Sequence, residues 1–278
     1  MNHVLSAELL KLRKRPATWI LVGVWLTLAL TFAYVFPYLS YRTGGSTGPD
    51  AGTAPAALLA GMLPANLVPT VLGGYPLFGG ALVLILGALM TGSEYGYGTL
   101  KTLLTQRPRR LEVLGGTLTA LVLVVLALGI ANFALAAGAS SLIAATESAP
   151  GGFPPAVDLL QGLATGWLIL GMWGLLGALA GIAFRGTALA VGLGLVWALV
   201  LENLIRGVAR LLPVVDTLQR ALPGVNAGSL VAALGTGGRP APGVTAVVGG
   251  TQAAVVLGCY AVGFVLLAGV LLARRDVT

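Results

Sequence analysis

A chain of 278 residues with 57% hydrophobic and only 9% charged side chains lies far from soluble domains, where roughly a quarter of residues are charged. With a mean hydropathy of +0.93, an ordinary soluble domain is excluded and the chain reads as an integral membrane protein. The net charge of +7 collects at the ends of apolar runs, where membrane topology places Lys and Arg, so it carries no nucleic-acid signal. One cysteine (Cys259) and one histidine (His3) allow no internal disulfide and make a thiolate or imidazole metal site an unsuitable reading.

Residues 1–16 place Leu5, Leu9 and Leu12 on one helical stripe and Lys11, Lys14 and Arg15 on other faces. That pattern suits an amphipathic helix in the headgroup layer, anchored by Lys11, Arg13, Lys14 and Arg15. A charged flank that orients the next helix is the plainer reading, and the two are compatible. Predominantly apolar runs long enough to cross a bilayer follow at about 17–36, 71–91, 113–138, 159–184, 186–203 and 244–273. The expected fold is therefore a single all-α transmembrane domain, residues 1–278, with six spans.

The connections differ in character. Pro37 to Pro69 is rich in Gly, Pro and Thr, with room for a short surface helix within Ala54 to Leu67. Arg185-Gly186 is a very tight turn. Glu202 to Gly250 is the longest connection; its pattern predicts that Leu204, Val208, Leu211 and Leu212 bury a face while Arg206 and Arg210 point to water. Whether 204–222 dips into the membrane stays open on the sequence. Lys11, Arg13, Lys14, Arg15, Lys101, Arg107, Arg109, Arg110, Arg185, Arg274 and Arg275 fall on one side, which the positive-inside rule makes the cytoplasm, together with both termini.

The segment between the second and third runs, Thr91 to Arg110, is too polar for membrane and too regular for a plain loop. Thr99 to Gln106 reads as a short helix with Leu100, Leu103 and Leu104 on one stripe, stopped before Pro108. A leucine stripe at a membrane surface calls for a soluble partner to cover it. Glu94 caps this helix or pairs with Lys101 or Arg109, Gly96 and Gly98 serve as turn glycines, and Arg107, Arg109 and Arg110 anchor topology or meet lipid headgroups.

Several chemistries are disfavoured. No carboxylate falls at mid-bilayer, which weakens an ion-coupled carrier. No GxSxG motif occurs and no histidine is available to activate a serine. Tyr95 to Thr102 faintly echoes a phosphate-binding loop, but Leu100 stands where the motif needs glycine before Lys101. Powered work would need its nucleotide chemistry on another polypeptide.

Six spans, Glu8-Leu9-Leu10-Lys11-Leu12-Arg13 before the first, and Glu94-x-x-x-Gly98-Thr99-Leu100-Lys101-x-Leu103-Leu104 with Arg109-Arg110 after the second resemble the permease subunit of ABC-2 type transporters. The resemblance implies an interfacial N-terminal helix and a cytoplasmic coupling helix at about Glu94 to Arg107. Its key positions would be Glu94, Gly98, Thr99, Leu100, Lys101, Leu103 and Leu104. It further implies two ATP-binding subunits docked beneath, ATP and Mg held there and no cofactor on this chain. A second permease copy would complete a homodimer in the bacterial cytoplasmic membrane, exporting a hydrophobic or amphipathic substrate such as a drug, lipid or peptide antibiotic. A membrane immunity or assembly protein, or a channel, is the alternative.

Overall fold

The computed structural model describes residues 2–44, 52–96, 110–209, 211–235 and 241–274, and every regular element among them is helical. Helix α1 (Asn2–Lys14) comes first. Six helices are long and apolar enough to cross a membrane: α2 (Pro16–Arg42), α4 (Pro64–Gly96), α5 (Arg110–Thr146), α6 (Ala156–Phe184), α7 (Thr187–Ala209) and α10 (Gly250–Arg274). Short helices α3 (Pro55–Met62), α8 (Pro213–Gln219) and α9 (Pro223–Ala233) fill the connections.

The spans outrun the apolar windows that announce them. A proline normally ends a helix because it lacks an N–H and clashes with the carbonyl four residues back. Helix α2 nonetheless continues past Pro37, because Thr31–Val35 forms a π turn in which the Phe36 N–H reaches the Thr31 carbonyl. The widened turn shifts the carbonyls out of register just before the ring that cannot donate. Pro76 is accommodated the same way, inside the π turn Tyr75–Gly79 of α4.

Helices α4 and α6 form the centre. Of their most apolar windows 72% and 56% are buried, against 11% for α2, 22% for α7 and 17% for α10. Glycine lets their backbones touch. A methyl on Gly87 would collide with the Gly174 carbonyl oxygen, and one on Gly177 with that of Leu84. Thr91 locks the contact by donating to the Ala178 carbonyl at 2.9 Å. Close approach through small residues is how membrane helices gain packing when lipid removes the hydrophobic driving force.

The short helix expected within Ala54 to Leu67 is present as α3, which buries Leu58, Gly61 and Met62 and leaves Pro55, Ala56 and Ala60 exposed. One expectation about the connections is corrected. In the long connection the leucines point out and an arginine points in: Leu204, Leu211 and Leu212 are exposed, while Arg206 turns inward toward Glu202 at 3.8 Å. The reason is local. Glu202 is buried one helical turn earlier, and side chains four apart share a face, so pairing with it rotates Leu204 toward the outside. Arg210 lies outside the described residues. The buried part of this connection is α9, whose residues from Pro223 to Val231 are all buried, whereas α8 exposes Val214 and Leu218. Ser229 at the α9 centre donates to the Thr245 carbonyl and accepts from the Val247 and Val248 N–H groups, stitching the chain that leads into α10.

Candidate functional site

The last turn of α4 ends in polar residues that are nevertheless buried: Thr91, Gly92, Ser93 and Glu94. A buried carboxylate needs charged or hydrogen-bonding partners, because its desolvation is otherwise uncompensated. Helix α1 and Arg15, which directly follows it, supply them. Lys11 Nζ donates to Glu94 Oε1 at 3.1 Å and Arg15 Nη2 donates to the same oxygen at 3.2 Å. Arg15 Nη1 also donates to Ser93 Oγ at 2.8 Å, and Lys11 to Glu8 Oε1 at 2.7 Å. Two cations and two carboxylates thus form one nearly neutral network joining α1 to α4. Burial alone would lower the Lys11 ammonium, but hydrogen bonds and charge from Glu8 and Glu94 outweigh it and hold its pKa above the usual lysine value.

Packing reinforces the network. Leu12 is buried, and Leu5 and Leu9 pack against the core. Val4 sits so close to Gly116 of α5 that a side chain there would strike it. The leucine stripe of α1 is therefore covered by the protein itself, with Leu10, Arg13 and Lys14 left on the exposed side. Its seam with α2 is closed by Trp19, whose indole N–H donates to the Arg13 carbonyl at 2.8 Å.

Other segments meet at the same end. Gly92 approaches the Gly186-Thr187 backbone at the α6–α7 turn, where Arg185 holds a left-handed φ of 53°. Arg110 Nη1 reaches the Leu272 carbonyl of α10 at 3.4 Å, the favoured place for a cation near a helix C-terminus. Among the described residues this end gathers Lys11, Arg13, Lys14, Arg15, Arg110, Arg185 and Arg274 against Glu8, Glu94 and Glu112. Among the described residues the opposite end pairs each cation with a carboxylate, Arg42 with Glu147, Arg206 with Glu202 and Arg220 with Asp216, and carries Asp158 besides.

The predicted site residues divide accordingly. Glu94, Lys11 and Arg15 come together, and the two basic partners come from the end of α1 and the residue after it rather than from the segment that follows Glu94 in sequence. Gly98, Thr99, Leu100, Lys101, Leu103, Leu104, Arg107 and Arg109 lie outside the described residues. The Glu94 linkage to Lys11 and Arg15 was missed from the sequence, because Lys101 and Arg109 lie much nearer along the chain and were the partners the local pattern offered. The Glu202–Arg206 pair was likewise missed, although its i, i+4 spacing was readable.

Glu94 lies in the last turn of α4, and the N-terminal segment is fastened to it through Lys11 and Arg15 and to the start of α5 through Val4 against Gly116. A family model described as ABC-2 family transporter protein matches residues 4–201, which runs from α1 into α7 and takes in well over half of the chain. The chain belongs to the ABC-2 transporter family. No individual curated protein matches it. ABC-2 family membership makes it a multi-pass membrane protein and a transport permease, the membrane component of an ABC transporter system that works with an ATP-binding partner.

Proposed function

We propose that this ABC-2 permease couples ATP hydrolysis on a separate subunit to export of a hydrophobic or amphipathic substrate through the junction around Glu94. The observation that carries the reading is the Lys11–Glu94–Arg15 network. It makes α1, the end of α4 and the start of α5 one mechanical unit, attached directly to the stretch from Glu94 to Arg107. An ATPase that binds that stretch would move the whole unit as a rigid body when its docking groove shifts on nucleotide binding. The basic excess at the α1 end supports placing this end, and both termini, in the cytoplasm of a bacterial cell. Within that frame α1 is the interfacial helix, with Arg13 and Lys14 turned to the headgroups and Arg109 and Arg110 anchoring the entry to α5. The exposed apolar faces of α2, α7 and α10 leave room for lipid and for a second copy, completing a homodimer over two ATPase subunits that hold ATP and Mg.

Purification from the native membrane in mild detergent tests the partner: a stoichiometric nucleotide-binding subunit is expected, and its absence from an intact, inserted sample would overturn the reading. Leu103→Asp tests the coupling segment. The variant should insert and express normally yet hydrolyse ATP without transport; normal transport would sink the assignment.

A further inference from the structure

Lys11, Arg13, Lys14 and Arg15 crowd the end of the N-terminal segment, and the fold divides them into two pairs. The Arg15 N–H still reaches the Lys11 carbonyl at 2.9 Å, so these two stand one turn apart on the side of Glu94, which they share at 3.1 and 3.2 Å. Arg13 and Lys14 lie on the other side. Both are exposed, and neither has a carboxylate partner among the described residues. Leu10, three and four positions before them, shares their face and is 53% exposed.

This face runs on into the membrane. Trp19 Nε1 donates to the Arg13 carbonyl at 2.8 Å, which sets the indole, 60% exposed, beside the two cations. Ile20 and Val24 follow on α2 and are exposed too; the most apolar window of that helix is only 11% buried. Charge above an aromatic and apolar strip matches a lipid headgroup over its acyl chains, the level at which tryptophan collects. An acidic soluble protein would satisfy the cations but leave Trp19 and Ile20 uncovered. The chain offers little counter-charge of its own at this end. Glu8 is taken by Lys11 at 2.7 Å. Tyr97 to Arg109 contains Lys101, Arg107 and Arg109 but no Asp or Glu, and in the last four residues Arg275 offsets Asp276.

We propose that the face formed by Leu10, Arg13, Lys14 and Trp19 is a binding site for an anionic phospholipid, its phosphate held by the two cations and its acyl chains lying along Trp19 and Ile20. This rests on α1 being the interfacial helix and adds a selectivity to it. A zwitterionic headgroup brings its own cation to a face that already has two, whereas an anionic one neutralises them. The bound lipid holds α1 against α5 and the Glu94 joint, so anionic lipid sets how firmly that joint is closed.

Hydrogen exchange in residues 4–14 tests this on the full-length protein in detergent, in phosphatidylcholine nanodiscs, and in nanodiscs that also contain phosphatidylglycerol. Exchange should slow on passing from detergent to phosphatidylcholine. It should slow up to about 30-fold further with phosphatidylglycerol, roughly fivefold for each cation at an anionic surface. Arg13→Gln combined with Lys14→Gln should abolish the second step and keep the first, with exchange in α5 unchanged as the check on folding. The charge-keeping pair Arg13→Lys, Lys14→Arg should keep both steps, and so should Arg274→Gln on α10. Soluble glycerol phosphate, which brings the anion without chains, should not reverse the second step. Equal slowing in the two lipids would overturn the anionic site while leaving α1 interfacial. No slowing on leaving detergent would overturn the interfacial reading and the site with it. A second step that survives in the Gln double variant would place the lipid elsewhere, and reversal by glycerol phosphate would make this a phosphate site. Protection of residues 10–14 that appears only with a co-purified ATP-binding subunit would assign the face to a protein.

Discussion

Glu94 and Glu202 are both buried carboxylates, one near each end of the bundle, and they are neutralised in opposite ways. Glu94 keeps 11% of its side chain exposed and takes two cations, Lys11 and Arg15, from the N-terminal segment at 3.1 and 3.2 Å. Glu202 keeps 1% and faces one cation from its own helix at 3.8 Å. Trp197 donates to its Oε1 at 3.1 Å, while Oε2 lies against Gly224 of α9 without a hydrogen bond of good geometry among the described residues. The first arrangement fastens separate segments at a semi-exposed joint. The second sets the buried Glu202 of α7 against Gly224 of α9, with its cation only 18% exposed. A long-range pair at a partly wet surface suits a part that transmits movement; a short-range pair in a dry site suits a part that must not move.

Breaking the dry pair should have the largest effect. Arg206→Ala leaves Glu202 buried without its cation, and removing one partner of such a pair typically costs about 3–5 kcal/mol. The thermal midpoint of the purified protein should fall accordingly, and the double variant Glu202→Gln, Arg206→Met should recover most of it. Gly177→Val comes next. It drives a side chain into the Leu84 carbonyl and should cost about 1–3 kcal/mol by overpacking, lowering the thermal midpoint while leaving amide exchange in α1 unaltered. An equal loss of α1 protection would mean that the two ends are not separable.

At the Glu94 joint the effects should be smaller. Glu94→Gln keeps the shape but removes the charge that Lys11 and Arg15 share, and should weaken α1 docking by roughly 1–2 kcal/mol. Hydrogen exchange in residues 4–14 reports this directly; unchanged protection there would remove the joint from the mechanism. The smallest effect separates the pairs by screening. Raising ionic strength from about 0.05 M to about 1 M shortens the Debye length to about 3 Å. This should loosen α1 measurably and leave the Glu202–Arg206 site untouched.

Much of this protein is determined by the sequence alone. Six runs of predominantly apolar residues cannot be satisfied anywhere but in a bilayer, and backbone hydrogen bonding in lipid forces them to be helices. The charge bias toward one end follows from Lys and Arg positions counted along the chain. The motif after the second run was enough to suggest the family, because it is a local pattern of charge, glycine and leucine. Helix ends were less legible: Pro37 reads as a stop until a π turn is seen to absorb it, and Pro76 is carried within α4 in the same way.

What only the tertiary structure decided is which polar residues meet. Nothing in the order of residues ties Lys11 and Arg15 to Glu94, Asn132 to Tyr75, or Trp25 to the same tyrosine, because each pair joins helices distant in sequence. Apolar patterning could not decide it either. In a bilayer, lipid-facing and core-facing positions are equally hydrophobic, so the usual signal for which face turns inward is missing. Leu204 outside and Arg206 inside is the case where that ambiguity misled. The faces are chosen instead by the few groups that lipid cannot satisfy, the buried carboxylates above all, together with the glycines that let α4 and α6 touch.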